Sequence, residues 1–171
     1  ATTIVEKALF NDNIERTYPQ YSPDGKELAF IQDRNKLMVM DVKSKKVRQV
    51  TDGSTYARRN GGFYYTWSPD GKWFTLEVVD NMHDPYSDIA IVSAQGSKIT
   101  NITRSGYFDE SPRWVMDGNA ILFLSERYGM RNHASWGSMS DAMLVFVNQD
   151  AYDKYRLSEE DYALYKEVEK A

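Results

Sequence analysis

Two stretches of the chain gather side chains able to do chemistry: VDNMHDPYSD at 79–88 and SERYGMRNHASWGSMSD at 125–141. The first offers Asp80, His83, Asp84 and Asp88, an oxygen-and-imidazole set of the kind divalent metals take. It has neither the spacing of a calcium loop nor a glycine at the required turn, so no metal is expected. The second brings His133, Ser135 and Ser138 close in sequence, but without a G-x-S-x-G elbow or a strand-to-helix context. No catalytic residue is assigned from it. What remains is recognition chemistry. His83, Arg127, Arg131, His133 and Trp136 form a candidate set for binding a peptide or a partner protein. Guanidinium groups pair with carboxylates in a fixed fork, and an aromatic ring supplies an apolar anchor beside them. The plainer reading, which the residues favour over ligand contact, is that these loops pack on a neighbouring domain or on the C-terminal helix.

The elements that would carry these loops are visible in a repeated phrase. YSPDGKELAF at 21–30 returns as WSPDGKWFTL at 67–76 and, eroded, as WVMDGNAILF at 114–123. The turn glycines Gly25, Gly71 and Gly118 are 46 and 47 residues apart, a period that belongs to repeat architectures. An aromatic stands four residues before each glycine: Tyr21, Trp67 and Trp114. Apolar residues follow at three and five after it: Leu28 and Phe30, Phe74 and Leu76, Ile121 and Phe123. Pro-Asp-Gly is turn chemistry, with proline presetting φ and glycine free to take φ > 0. Each phrase therefore predicts a hairpin between a first and a second strand.

Third strands are predicted at 36–42, 87–93 and 140–147, and fourth strands at 46–53 and 98–106. Four short antiparallel strands per period make a blade of a β-propeller. Residues 4–12, IVEKALFND, look like the fourth strand of a preceding blade, and no fourth strand follows 140–147. The fold class is all-β: a partial β-propeller of about two complete four-stranded antiparallel blades plus parts of two others, with a C-terminal α-helix. The expected domains are an incomplete propeller over 1–147, with blades at about 16–56, 60–106 and 107–147, and a helical segment over 148–171. Ser158 and Asp161 form a capping box for a helix over 158–170, with a shorter turn over 149–155. Propellers close with about 4–8 blades, so this chain is expected to be a fragment of a longer one. Uncovered strand edges and a bare sheet face lead to self-association as the expected behaviour.

Connections between strands 2 and 3, and from strand 4 to the next strand 1, differ in length between copies, whereas the 1–2 and 3–4 turns do not. In an up-and-down blade the variable connections share one face, which in repeat proteins commonly carries binding loops. All five candidate residues fall on that face. Bulk composition narrows the remaining options. Net charge is −4 with no basic cluster, which argues against nucleic acid. No apolar run reaches the length of a membrane helix. With no cysteine, thiol catalysis, disulfides and Cys-zinc sites are excluded. No cofactor is expected.

The SPDGK turns, with fourth strands ending QVT and NIT, resemble the TolB-type propeller repeat over roughly residues 4–147. Residues 123–170, containing SWGS and YDKYRLSEEDY, are similar to a segment of large tricorn-type serine peptidases of Bacteroidetes-like bacteria. This resemblance implies a parent with N-terminal propellers, a PDZ domain and a Ser/His catalytic core. None of the family's catalytic residues maps onto this chain. It further implies a propeller that gates or docks peptides, with the rest of the parent propeller and peptidase as partner, in the periplasm or cell envelope. The alternative implied by the same repeats is a TolB-like module that binds another envelope protein.

Overall fold

A computed structural model of the chain describes residues 3–55, 62–79, 86–129 and 139–170. Eleven strands are described, arranged in three antiparallel sheets. The first sheet runs β1 (Arg16–Tyr21), β2 (Glu27–Gln32), β3 (Lys36–Asp41) and β4 (Val47–Gln49), in that order. The second repeats it with β5 (Tyr65–Trp67), β6 (Trp73–Val78), β7 (Asp88–Ser93) and β8 (Thr100–Asn101). The third holds β9 (Asp109–Val115), β10 (Ala120–Ser125) and β11 (Asp141–Phe146), with no fourth strand among the described residues. These are two full blades and one three-stranded blade, called blades 1 to 3 below.

Both complete SPDG turns are built the same way. The Ser22 hydroxyl donates to Asp24 (2.7 Å) and accepts the Glu27 N–H (3.0 Å), while Asp24 also accepts the Lys26 N–H (3.1 Å). Ser68, Asp70, Lys72 and Trp73 reproduce these bonds at 2.6, 3.0 and 2.9 Å. Gly25 and Gly71 sit at φ +71° and +68°, a region that costs an L side chain about 1–2 kcal/mol. The eroded third copy lacks both Ser and Pro and takes another route. A 3₁₀ turn over Met116–Gly118 puts Met116 (φ 51°) and Asp117 (φ 54°) in the left-handed region as well.

Side chains alternate across each sheet, so one face of a blade packs on the blade before it and the other on the blade after. Blades 1 and 2 share a core that includes Ala29, Ile31, Leu37 and Val39 against Phe74, Leu76, Ala90 and Val92. Blades 2 and 3 share a smaller one, Ile89 and Ile91 against Ile121 and Phe123. The fourth-strand threonines that close the QVT and NIT phrases fasten strand 3. Thr51 Oγ1 accepts the Leu37 N–H and Thr103 Oγ1 the Ile89 N–H, both at 2.9 Å.

Residues 4–12, expected as the fourth strand of a preceding blade, carry no strand pairing among the described residues: Ile4 and Val5 are 87% and 84% exposed, and Phe10 is half-buried, edge-on to Phe30 at 5.4 Å. The third strand such a segment would pair with belongs to the blade before it and is not among the described residues. One expectation is corrected. The stretch expected as a turn at 149–155 is an α-helix, α1 (Gln149–Tyr155), because Asn148 caps it by accepting the Ala151 N–H. Helix α2 (Glu159–Lys170) follows from the Ser158–Asp161 capping box, with bonds of 2.7 and 3.1 Å. It buries no residue and meets α1 through Lys154, which pairs with Glu169 at 3.1 Å. Among the described residues, no helix is long and apolar enough to cross a membrane.

Candidate functional site: the variable-loop face

Of the five candidate recognition residues, Arg127 is described. His83, Arg131, His133 and Trp136 lie outside the described residues, as do Asp80, Asp84, Ser135 and Ser138. Arg127 follows the end of β10, where its N–H donates to Ser125 Oγ at 3.2 Å. Ser125 is fully buried and donates to Asp109 Oδ1 at 2.6 Å, and Asp109 is itself fully buried at the start of β9. From blade 2, Ser87 grips the same residue twice. Its hydroxyl donates to the Asp109 carbonyl and its carbonyl accepts the Asp109 N–H, both at 2.9 Å. The stem of the β10–β11 connection is thus anchored across the blade boundary, with exposed Tyr128 beyond it.

Asp88 was weighed above as a metal ligand, and the structure gives it other work. Its carboxylate accepts the Asn101 amide (2.8 Å), the Thr103 hydroxyl (3.2 Å) and the Ser105 N–H (2.7 Å). It locks the end of blade 2's fourth strand to its third. Among the described residues, no cluster of three or more metal-ligating side chains is present.

The blade 2–3 boundary on this face also carries acidic groups that sequence reading did not single out. Glu77 on β6 accepts the Ser111 N–H from β9 at 2.7 Å. Loss of hydration raises its pKa above the usual carboxylate value, with the Ser111 N–H opposing the rise and Glu110 adding to it. Glu110 is raised too, first by loss of water around its carboxyl and then by Glu126. Ser111 can make this bond because it sits at φ 55° in a strand irregularity, one residue before Pro112. Tyr18 before Pro19 does the same in blade 1, at φ 53°, and its carbonyl accepts the Tyr65 hydroxyl of blade 2. The residue-Pro pair was legible in the sequence; the bulge and its partner on another blade were not.

On the opposite face the SPDG turns stack, Pro23 against Gly71 and Pro69 against Gly118. Between the first two lies a cleft of 360 Å³ whose lining includes Asp24, Lys26, Asp41, Asp70 and Gln95. Its carboxylates serve the turns: Ser22 and the Lys26 N–H hold Asp24 down to about 2.

No protein-family model matches the chain. Among curated proteins it is similar to the uncharacterised peptidase YuxL of Bacillus subtilis, 27% identical over 62% of this chain and 16% of that protein. It is similar also to a tricorn-like protease C-terminal subunit of Sulfurisphaera tokodaii, 29% identical over 63% of this chain and 12% of that protein. The chain thus spans a small part of these relatives. Among solved structures, tricorn protease superposes with a TM-score of 0.60 at 18% identity, covering 82% of this chain and 14% of that one. TolB of Acinetobacter baumannii superposes with a TM-score of 0.55 at 21% identity, covering 77% of this chain and 30% of that one. Strand order, turn chemistry and these superpositions agree: the chain is a run of β-propeller blades of the kind that build tricorn protease and TolB.

Proposed function

We propose that this chain is the non-catalytic propeller portion of a tricorn-like serine peptidase, and that its variable-loop face docks or gates peptides on their way to a catalytic core elsewhere in the parent. The observation that carries this reading is the similarity to a tricorn-like protease subunit at 29% identity. Asymmetric loop lengths support it. The β2–β3 turn is three residues (33–35), while the β10–β11 connection that carries Arg127 runs over 126–140. Long irregular connections on a rigid sheet scaffold are where binding groups concentrate. An arginine beside exposed Tyr128 suits a peptide carboxylate. In this reading the partners are peptides and the rest of the parent propeller and peptidase, and the compartment is the periplasm or cell envelope.

The test is peptide hydrolysis by the parent reading frame and by this chain alone. The parent is expected to cleave unstructured peptides and the isolated chain to cleave none. Hydrolysis by the purified chain at a constant ratio to its mass would overturn the proposal. The superposition on TolB favours one other reading, a propeller that binds an envelope protein. A parent frame without a peptidase core, together with saturable protein binding, would select it.

A further inference from the structure

Asp-Gly occurs four times in the chain, at 24–25, 52–53, 70–71 and 117–118, and the fold holds three of the four in the same way. In this pair the backbone can attack its own side chain, because a glycine without Cβ leaves its amide nitrogen open to the aspartate Cγ. Asp24 and Asp70 are restrained by their turns. Each carboxylate accepts a serine hydroxyl, at 2.7 and 2.6 Å, and a lysine N–H, at 3.1 and 3.0 Å. Asp52 accepts the N–H and the hydroxyl of Ser54, at 2.9 and 2.6 Å. These bonds favour the ionised carboxylate, so all three groups have lowered pKa values, that of Asp24 about 2. An ionised carboxylate is a poor electrophile, and a bonded one is not free to turn toward the nitrogen.

Asp117 has no such restraint. Val115 and Met116 stand where the other two turns have Ser and Pro, and the Asp117 carboxyl makes no hydrogen bond or ion pair among the described residues. Asn119 holds this turn instead, its N–H (3.0 Å) and its side-chain amide (2.8 Å) both donating to the Met116 carbonyl. Met116 and Asp117 both lie in the left-handed region, at φ 51° and 54°, where an L residue is strained; Asp24, Asp52 and Asp70 do not. Opening this turn therefore releases strain, whereas opening an SPDG turn breaks the bonds of its serine. The exposure of Asp117 does not depend on a missing neighbour, since Asp70 is exposed too, in a blade flanked on both sides.

We infer that Asp117–Gly118 is a site of covalent self-modification, where the turn isomerises to isoaspartate while the three serine-held pairs stay intact. The Gly118 nitrogen forms a bond to Asp117 Cγ, and the hydroxyl of the protonated carboxyl leaves with the amide proton as water, giving a succinimide ring. Water then adds back. Addition at the main-chain carbonyl breaks the original peptide C–N bond and routes the chain through the side-chain carboxyl; addition at Cγ restores aspartate. Water lost equals water gained, so the mass is unchanged and no oxidant, metal or partner takes part. The product lengthens the β9–β10 turn by one methylene at the glycine on which Pro69 of blade 2 packs. This inference does not depend on the peptide-docking reading above.

The test keeps the full chain for weeks at neutral pH and body temperature, then locates isoaspartate in its proteolytic peptides by electron-transfer fragmentation. Conversion at Asp117 is expected to run about tenfold or more ahead of Asp24, Asp52 and Asp70, the ratio that the strain of one left-handed residue gives. In urea, where no turn is held, the four pairs should convert at similar rates. Ser68→Ala should bring Asp70 up toward Asp117. Val115→Ser combined with Met116→Pro restores the repeated phrase and should bring Asp117 down toward Asp24. The same order is expected in the parent reading frame. Deamidation at Asn60–Gly61 changes the mass and is thereby told apart. Similar conversion of all four pairs in the folded chain, a lead for Asp117 that persists in urea, an Asp70 rate unmoved by Ser68→Ala, or an Asp117 rate unmoved by the restored phrase would each overturn the inference.

Discussion

Glu77 and Ser111 join two blades: the carboxylate on β6 accepts the N–H of a left-handed residue on β9 at 2.7 Å. Burial between the blades costs Glu77 hydration, and its pKa is raised in the fold although the Ser111 N–H opposes the rise. A raised folded-state pKa means that Glu77's ionisation weakens the fold. Its contribution is most favourable below the ordinary carboxylate pKa and is lost as pH rises through the raised one. Glu77→Gln keeps an acceptor for Ser111 without a charge to desolvate. The variant's melting temperature should equal or exceed the parent's at pH 7, with the gain shrinking as pH falls toward 4. Glu77→Ala strands the Ser111 N–H and should cost roughly 1–3 kcal/mol at both pH values. Thermal denaturation of both variants across that range checks the sign.

The SPDG turns give a second, graded expectation. Ser22 and Ser68 each make two hydrogen bonds while nearly fully buried. Ser68→Ala should therefore cost about 1–2 kcal/mol in urea unfolding. In the eroded copy the reverse change should help. Met116 holds φ 51° with a side chain that is 43% exposed, so Met116→Gly should stabilise by up to roughly 1 kcal/mol.

Core and end face should respond differently to the same truncation. Phe74 is fully buried, 4.0 Å centroid-to-centroid from Trp67 and 5.8 Å from Tyr65. Phe74→Ala should cost about 3–5 kcal/mol. Leu124→Ala, at 42% exposure, should cost under about 1 kcal/mol in the monomer. A Leu124 penalty as large as that of Phe74 would mean that this face is covered in solution.

On the loop face, replacing Arg127 together with Trp136 by alanine should weaken binding of a peptide with a free C-terminal carboxylate by about tenfold or more. Binding of the same peptide with an amidated C-terminus should change far less. Fluorescence anisotropy of the two labelled peptides reads the difference. Equal loss for both would remove the carboxylate from the recognition reading.

How much of this was legible in the residues depends on the range of the interaction. The SPDG phrase encodes its hairpin locally, because Ser, Pro, Asp and Gly act within six residues of chain, and both copies fold alike. Second and third strands fell where alternation placed them, since one buried face fixes register. Fourth strands were overextended: 46–53 and 98–106 shrink to Val47–Gln49 and Thr100–Asn101. An outermost strand has one hydrogen-bonded neighbour, and its pattern outlasts its pairing.

By itself, then, the sequence determined the blade: its period, its turn, its alternation and the threonine that ends it. Those are settled by local sterics and by which side of a strand must leave water. The tertiary structure decided what one blade does for the next. It set Glu77 beneath Ser111, folded Asp109 between Ser87 and Ser125, and left Leu124 and Leu144 uncovered while Phe10 covers Phe30. These pairings join residues 16 to 34 apart that share no motif. Only the twist and stacking of successive sheets bring such residues within hydrogen-bond or van der Waals reach.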